Sequence, residues 1–185
     1  MNLQLEGLRA LVTGSGSGIG LATANMLHAS GARVFGFDIT RGQLSKDIQW
    51  HECDVTDQKL IERAFSELEK STGVLDIVIN CAGIGAIGSI EDASEEEWRK
   101  VYDTNVVGTA RISSRASRLL RKSESAAIVN VCSIAATVGL PDRAVYSASK
   151  GAVLSLTRAM AADYIKDDIR VNCVNPGTAD TPWVA

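Results

Sequence analysis

Residues 8–20 read Leu8-Arg9-Ala10-Leu11-Val12-Thr13-Gly14-Ser15-Gly16-Ser17-Gly18-Ile19-Gly20. An apolar run ends in a cluster of glycines, and a helical pattern from Ile19 to Ser30, closed by Gly31, follows at once. A strand that turns directly into a helix aims backbone N–H groups and the positive helix end at one spot, which suits a pyrophosphate. Glycine is required there because a Cβ would block either the tight turn or the ligand's approach. The strict G-x-G-x-x-G fingerprint does not fit, because Ile19 or Leu21 falls where its last glycine belongs, and no G-K-[ST] completes a Walker loop. The pattern that fits is T-G-x-x-x-G-I-G, which taken alone reads equally as a flexible turn.

The alternation begun there continues to the end of the chain. Strands are predicted at Leu8–Thr13, Ala32–Phe37, Gln49–Cys53, Leu75–Asn80, Ala127–Cys132 and Ile169–Val174. Helical periodicity covers Ile19–Ser30, Lys59–Lys70, a long stretch from about Ser94 to Leu120, and Tyr146–Ile165. What joins the second and third strands is left open. Such an order implies parallel strands joined by right-handed crossovers, an α/β doubly wound sheet with helices on both faces. L-D-I-V-I-N and A-I-V-N-V-C are apolar almost throughout, as strands buried on both faces should be. Ser94 with Glu97 makes a capping box before the long helix.

Composition sets the outer bounds. The chain has 185 residues, 45% hydrophobic and 22% charged, with 16 Gly and 3 Pro, which excludes disordered and collagen-like structure. A domain of this length removes roughly 70% of its unfolded surface from water, so one domain over residues 1–185 is expected. Nineteen basic against 22 acidic residues give a net charge of −3 with no basic block, which argues against nucleic acid. The longest uncharged stretch, Ala10 to Ala32, carries five glycines and several hydroxyls, and is no membrane span. M-N-L-Q-L-E-G-L-R lacks the form of a secretory signal, so a cytoplasmic location is expected. Cys53, Cys81, Cys132 and Cys173 lie in or beside apolar runs without metal-type spacing, and read as buried thiols. His51 and Cys53 have no further ligand close in sequence, and a structural zinc is not expected.

Two polar signals stand out. Asp38 closes the second strand, V-F-G-F-D, about 20 residues beyond the glycines, where a carboxylate can accept from an adenosine ribose. A 2′-phosphate facing it would meet like charge, worth ~1 kcal/mol in water and ~4 kcal/mol in a partly screened site, which favours NAD over NADP. Asp38 also reads as a helix cap or a solvated strand end, and Arg41 nearby offers an opposing charge. Tyr146 and Lys150, at i and i+4 in Y-S-A-S-K, share one helix face. Lowering a tyrosine pKa by ~3 units takes ~4 kcal/mol of phenolate stabilisation, which an ammonium and a cationic nicotinamide together supply. Alone, the pair reads as an ordinary surface pair.

These signals occur with Asp54-Val55, N-C-A-G at Asn80 to Gly83, Asn105, Ser133 and N-P-G at Asn175 to Gly177. In this order and spacing the whole chain resembles the short-chain dehydrogenases/reductases, a Rossmann-type family. The resemblance implies that Tyr146 is the general acid/base and that Lys150 holds the nicotinamide ribose and depresses the Tyr146 pKa. It implies that Ser133 hydrogen-bonds the reacting oxygen and that Asn105 anchors a water relaying protons towards Lys150. Gly14, Ser17, Gly18, Ile19 and Gly20 would cradle the cofactor, with Asp54 and Val55 beside the adenine. Asn80, Ala82 and Gly83 would form the cofactor wall, and Pro176, Gly177, Thr178 and Thr181 would border the nicotinamide. Cys81 departs from the family's N-N-A-G. The chain ends at Ala185, where the family continues through a substrate lid, a helix and a last strand, so a truncated chain is expected.

Arg143, three residues before Tyr146, looks like the arginine with which members acting on small hydroxy acids or deoxy sugar acids meet a carboxylate. It reads equally as a partner of Asp142 or solvent. The expectation is an NAD-dependent oxidoreductase for a carboxylate-bearing secondary alcohol. Alternatives are a 3-oxoacyl reductase, a neutral sugar or polyol dehydrogenase, and a non-catalytic dinucleotide-binding protein. A homodimer or homotetramer is expected from the resemblance, with Trp98, Val101, Tyr102 and Val106 on the contact face or in the core.

Overall fold

The glycine cluster leaves the middle of a sheet. Strand β1 (Arg9–Thr13) is buried from Ala10 to Thr13 and pairs in parallel with β2 (Arg33–Asp38) and β4 (Ile77–Asn80). With β3 (Gln49–Glu52), β5 (Ala127–Val131) and β6 (Arg170–Val174) the order is β3-β2-β1-β4-β5-β6, all parallel. The computed structural model describes residues 5–181; residues 1–4 and 182–185, which the single-domain reading includes, lie outside the described residues. The doubly wound sheet expected from the sequence is the one observed. The order in which strands are added reverses between β1 and β4, and in open sheets of this kind ligands bind beyond the strand C-termini at that point.

Alternate residues of each strand feed two cores. Leu11, Phe35, Phe37, Val78 and Ile128 pack under helices α2 (Gln58–Ser71) and α4 (Gly108–Leu120) and against Met160 of α5 (Ala144–Asp163). Ala10, Val12, Val34 and Ile79 pack under α1 (Gly18–Ala29). The connection left open between β2 and β3 contains no helix. Residues 39–48 cross as a loop whose Leu44 and Ile48 are buried in this second core, standing where a helix would lie.

The long helix expected from Ser94 to Leu120 is interrupted. Helix α3 (Glu95–Tyr102) starts at Ser94, whose Oγ accepts the Glu97 N–H at 3.1 Å as the capping box requires. A π-turn, Asp103–Val107, separates it from α4, with Gly108 N–H donating to Asp103 O. The sequence D-T-N-V-V favours such a break, since Asn and β-branched residues are weak helix formers and Asn105 finds partners elsewhere. Helix α5 begins two residues earlier than predicted and ends in a 3-10 turn, Tyr164–Asp167. No helix among the described residues is long and apolar enough to cross a membrane.

Candidate active site

At the end of β1 the chain turns on Gly14, whose φ of +66 favours glycine and whose missing Cβ lets it lie against the Ala82 backbone. Gly20 is pressed onto the Gly14 carbonyl in the same way. Thr13 Oγ1 accepts the N–H groups of Cys81 and Ala82, both at 3.1 Å, and so binds the N-C-A-G segment to the glycine turn. Helix α1 starts at Ser17, whose side chain makes no capping hydrogen bond, and its first turn carries no acid. Its leading N–H groups are therefore left for an anion. A groove of about 580 Å³ runs past Ser17, Gly18 and Ile19, with Thr181 on its other wall; a Cβ on Gly18 would sit 3.6 Å from the Thr181 methyl. An uncapped helix start facing a groove of glycines fits a dinucleotide.

Asp38 stands at the edge of this groove. Its Oδ2 accepts Gly16 N–H and its Oδ1 accepts Thr40 N–H, each at 2.9 Å. The carboxylate thus holds two loop N–H groups and caps no helix, contrary to one of the readings left open from sequence, and keeps lone pairs for further donors. Arg41 turns instead to the carbonyls of Ser45 and Lys46, at 3.1 and 3.4 Å. Gly42, with φ +54, lies so close to the Gly16 carbonyl that any Cβ would collide with it. Sequence reading passed over Gly16, Gly42 and Gln43 as groove residues. The spacing of Gly42 four residues after Asp38 was the only signal.

Asp54 Oδ1 accepts Thr56 N–H and Oγ1 at 2.8 and 2.7 Å, which shapes the loop after β3, and Val55 is buried against Gly108. Asn80 is buried and donates to Ser113 Oγ and Asn130 Oδ1 at 2.9 and 2.8 Å, tying β4 to α4 and β5. Gly83 has no room for a Cβ without crowding Asn105 Oδ1 at 3.1 Å and Lys150 Nζ at 3.4 Å. Pro176 O, past the end of β6, accepts Ile134 N–H at 2.9 Å; Gly177 and Thr178 follow it, exposed.

The remaining residues converge. Ser133, after β5, hydrogen-bonds the Tyr146 phenol and accepts Ala135 N–H at 3.1 Å. Lys150 Nζ, 5.8 Å from the Tyr146 ring centroid, donates to Val131 O at 2.8 Å. Asn105, 1% exposed on the π-turn, exchanges two hydrogen bonds with the Ile84 backbone, at 2.8 and 2.9 Å, and donates to Ser149 Oγ at 3.0 Å. Arg143 immediately precedes α5 without capping it through its side chain, and its backbone is fixed by Gly88 N–H to Asp142 O at 2.9 Å and Ala144 N–H to Gly88 O at 3.3 Å. Its Nη1 reaches Asp142 O at 2.9 Å, while its guanidinium lowers the Tyr146 pKa.

One electrostatic expectation is corrected. Burial holds the Tyr146 phenol above the ordinary tyrosine value, outweighing the Ser133 hydrogen bond and Arg143, which pull it down. Burial likewise pushes the Lys150 ammonium below the ordinary lysine value. Lys150 donates to Val131 O, and the groups that pull the Tyr146 pKa down are Ser133 and Arg143, which burial outweighs in the protein without nucleotide. Of the four thiols expected to be buried, Cys53 and Cys132 are, whereas Cys81 and Cys173 are half-buried; burial pushes Cys53 and Cys132 up to about 12 and Cys81 to about 11. Val101 is core, with Ala86 and Val145, whereas Trp98 and Tyr102 stack partly exposed at 5.8 Å.

Comparison with known proteins shows the family. The short chain dehydrogenase family model matches residues 9–185. The cis-4-hydroxycyclohexanecarboxylate dehydrogenase of Sinomonas cyclohexanicum is 37% identical over 186 residues, covering 95% of this chain and 75% of the relative. The ligand-free aldohexose dehydrogenase of Thermoplasma acidophilum superposes with a TM-score of 0.93 at 33% identity, over 100% of this chain and 71% of that one. The 3-ketoacyl-(acyl-carrier-protein) reductase of Brucella melitensis, solved with NADH, gives 0.92 at 30% identity, over 97% and 79%. This chain belongs to the short-chain dehydrogenases, oxidoreductases that bind a nicotinamide dinucleotide and act on CH–OH groups.

Proposed function

We propose that the protein transfers hydride between NAD and a small secondary alcohol that carries a carboxylate, interconverting hydroxy acid and keto acid. The observation that carries this reading is the hydrogen bond between Ser133 and the Tyr146 phenol, with Arg143 three residues before Tyr146 and its charge felt at that phenol. A hydroxyl and a phenol bonded to each other grip the reacting oxygen, and a guanidinium beside them supplies the counter-charge for an acid. The nicotinamide, when bound, accepts or donates the hydride. Tyr146 takes the alcohol proton during oxidation and returns it during reduction. Lys150 is assigned to the nicotinamide ribose, as the resemblance implies, and Asn105 and Ser149 extend the polar path inward from Tyr146. Ser17, Gly18, Ile19 and Gly20 are assigned to the pyrophosphate and Asp38 to the adenosine ribose, an assignment that favours NAD and is supported by the uncapped start of α1. Asp54, Val55, Asn80, Ala82, Gly83, Pro176, Gly177, Thr178 and Thr181 are assigned to the cofactor walls, as the resemblance implies. The Sinomonas relative, named for a hydroxylated carboxylate, supports an acidic substrate.

A second reading, a 3-oxoacyl reductase, is favoured by Ile87, Val138 and Leu140, exposed aliphatics in the segments that flank Arg143. We infer a homodimer or homotetramer, in keeping with the family. The deciding experiment titrates the chain with NADH and with NADPH by energy transfer from its tryptophans, then screens hydroxy acids and 3-oxoacyl thioesters for turnover. Preference for NADH with turnover of hydroxy acids is expected. Preference for NADPH with turnover of thioesters alone would establish the second reading instead.

A further inference from the structure

Val55 and Tyr146 lie in different parts of the site, yet an unbroken series of contacts joins them. Arg111, in the first turn of α4, places one nitrogen, Nη1, 2.8 Å from Asp103 Oδ1 and 3.3 Å from the Val55 carbonyl. Asp103 is the first residue of the π-turn, and its own carbonyl accepts the Gly108 N–H that closes that turn. Gly108 lies against Val55 so closely that a Cβ would stand 2.7 Å from Val55 Cγ2. Thr109 Oγ1 donates to the Asn105 carbonyl at 2.8 Å. From Asn105 the series runs through Nδ2 to Ser149 Oγ at 3.0 Å, and from Ser149 Oγ to Tyr146 O at 2.7 Å.

We propose that Arg111 is a positioning residue that fastens the π-turn carrying Asn105 to the Val55 carbonyl, so that nucleotide seated beside Val55 stiffens the turn and holds Asn105 and Tyr146 in register. This rests on the reading above of Val55 as an adenine wall and Asn105 as part of the proton path. A π-turn is a strained insertion in a helix, found where a side chain must be aimed, and it needs support from outside its own hydrogen bonds. Arg111 provides that support from a nitrogen shared between the turn and the nucleotide loop. The side chains of Arg111 and Asp103 are 31% and 41% exposed. A surface ion pair of that exposure contributes little to stability, so its effect is expected in the response to ligand rather than in folding.

The test is amide hydrogen exchange of the whole chain with and without ADP-ribose, which carries the adenosine end of the cofactor and no nicotinamide. In the unaltered protein ADP-ribose is expected to slow exchange about 5-fold or more both at residues 14–20 and at residues 103–109. In Arg111→Met the slowing at 14–20 persists and that at 103–109 is lost. Arg111→Gln, shorter and without the charge that pairs with Asp103, shows the same loss if Arg111→Met fails to fold. Equal slowing at 103–109 with and without Arg111 overturns the proposal, as does slowing confined to 14–20 in the unaltered protein. Absence of slowing at 14–20 overturns the nucleotide reading itself, and the proposal with it.

Discussion

The Lys150 ammonium, 6% exposed, is fastened to the Val131 carbonyl at 2.8 Å. That bond fixes the amine 5.8 Å from the Tyr146 ring centroid, under a phenol whose pKa burial has raised. The sign of the pH dependence follows. Alcohol oxidation needs the phenolate, so its rate should rise with pH through the alkaline range; ketone reduction needs the phenol and should fall over that range. Spectroscopic titration of phenolate absorbance, protein minus Tyr146→Phe, should place the Tyr146 transition above the ordinary tyrosine value without nucleotide. Addition of oxidised cofactor should lower it. Tyr146→Phe should bind NADH normally and lose at least about 100-fold in turnover, in line with removal of a general acid/base.

Asp38 leads to a second prediction. Its two oxygens already accept Gly16 and Thr40 N–H groups, so the carboxylate is held in place before any nucleotide arrives. Asp38→Ser should remove the repulsion of a 2′-phosphate and cut the preference for NADH over NADPH about 10-fold or more, the equivalent of ~1.4 kcal/mol. Fluorescence titration with both nucleotides measures the ratio. An unchanged ratio would remove Asp38 from cofactor choice.

Gly42 supports the same corner from below. With φ +54 and the Gly16 carbonyl against its Cα, it accepts no side chain. Gly42→Ala should strain the backbone by ~1 kcal/mol or more and push Gly16 out of line. NADH binding should weaken about 10-fold while the circular dichroism of the sheet and helices is kept. Gly73→Ala, in open space, is the control and should bind as before.

The sheet was legible because a doubly wound fold writes its strands as apolar runs, and all six appear within two residues of their predicted ends. The glycine turn, Ser133, Tyr146 and Lys150 were legible because their spacing is local. Three things were not. The π-turn at Asp103–Val107 is hidden inside one helical periodicity, since a single extra residue barely disturbs an apolar stripe. The acceptors that fix Asn105 and Lys150 are backbone carbonyls of Ile84 and Val131, which any residue can supply and no pattern reports. The direction of the Tyr146 shift depends on burial against charge, and burial is a property of the assembled site.

Stability under acid turns on a pair remote from the chemistry. Asp76, 2% exposed, accepts from Arg9 N at 2.7 Å, Arg9 Nε at 2.7 Å, Arg9 Nη2 at 3.0 Å and Ser123 Oγ at 2.5 Å. Burial alone would raise its pKa, but these bonds outweigh it and hold the carboxyl below the usual carboxylate range. A depressed folded pKa contributes stability above the unfolded value of about 3.9, and that contribution is lost as pH falls through the folded value. Arg9→Met, which leaves a buried carboxylate short of its partner, should cost roughly 3–5 kcal/mol and lower Tm by about 10 °C at neutral pH. Asp76→Asn should flatten the acid limb of the unfolding curve below pH ~4. Thermal melts from neutral to acid pH check both.

The acidic-substrate reading rests on Arg143. The Gly88–Arg143 bridge sets its backbone, and its guanidinium acts on Tyr146 while one nitrogen rests on the Asp142 carbonyl. A neutral carbonyl is a weak partner that an incoming carboxylate can replace with a charge-assisted, two-pronged bond. Arg143→Met should therefore raise KM for a hydroxy acid by about 10- to 100-fold, the value of a charged hydrogen bond of about 1.5–3 kcal/mol. KM for the matching neutral alcohol or ester should change less than about 3-fold. Arg143→Lys, with charge but no fork, should recover part of the loss. Equal losses on acid and neutral substrates would show that Arg143 acts through the Tyr146 pKa or the start of α5, and the acidic substrate class would fall with it.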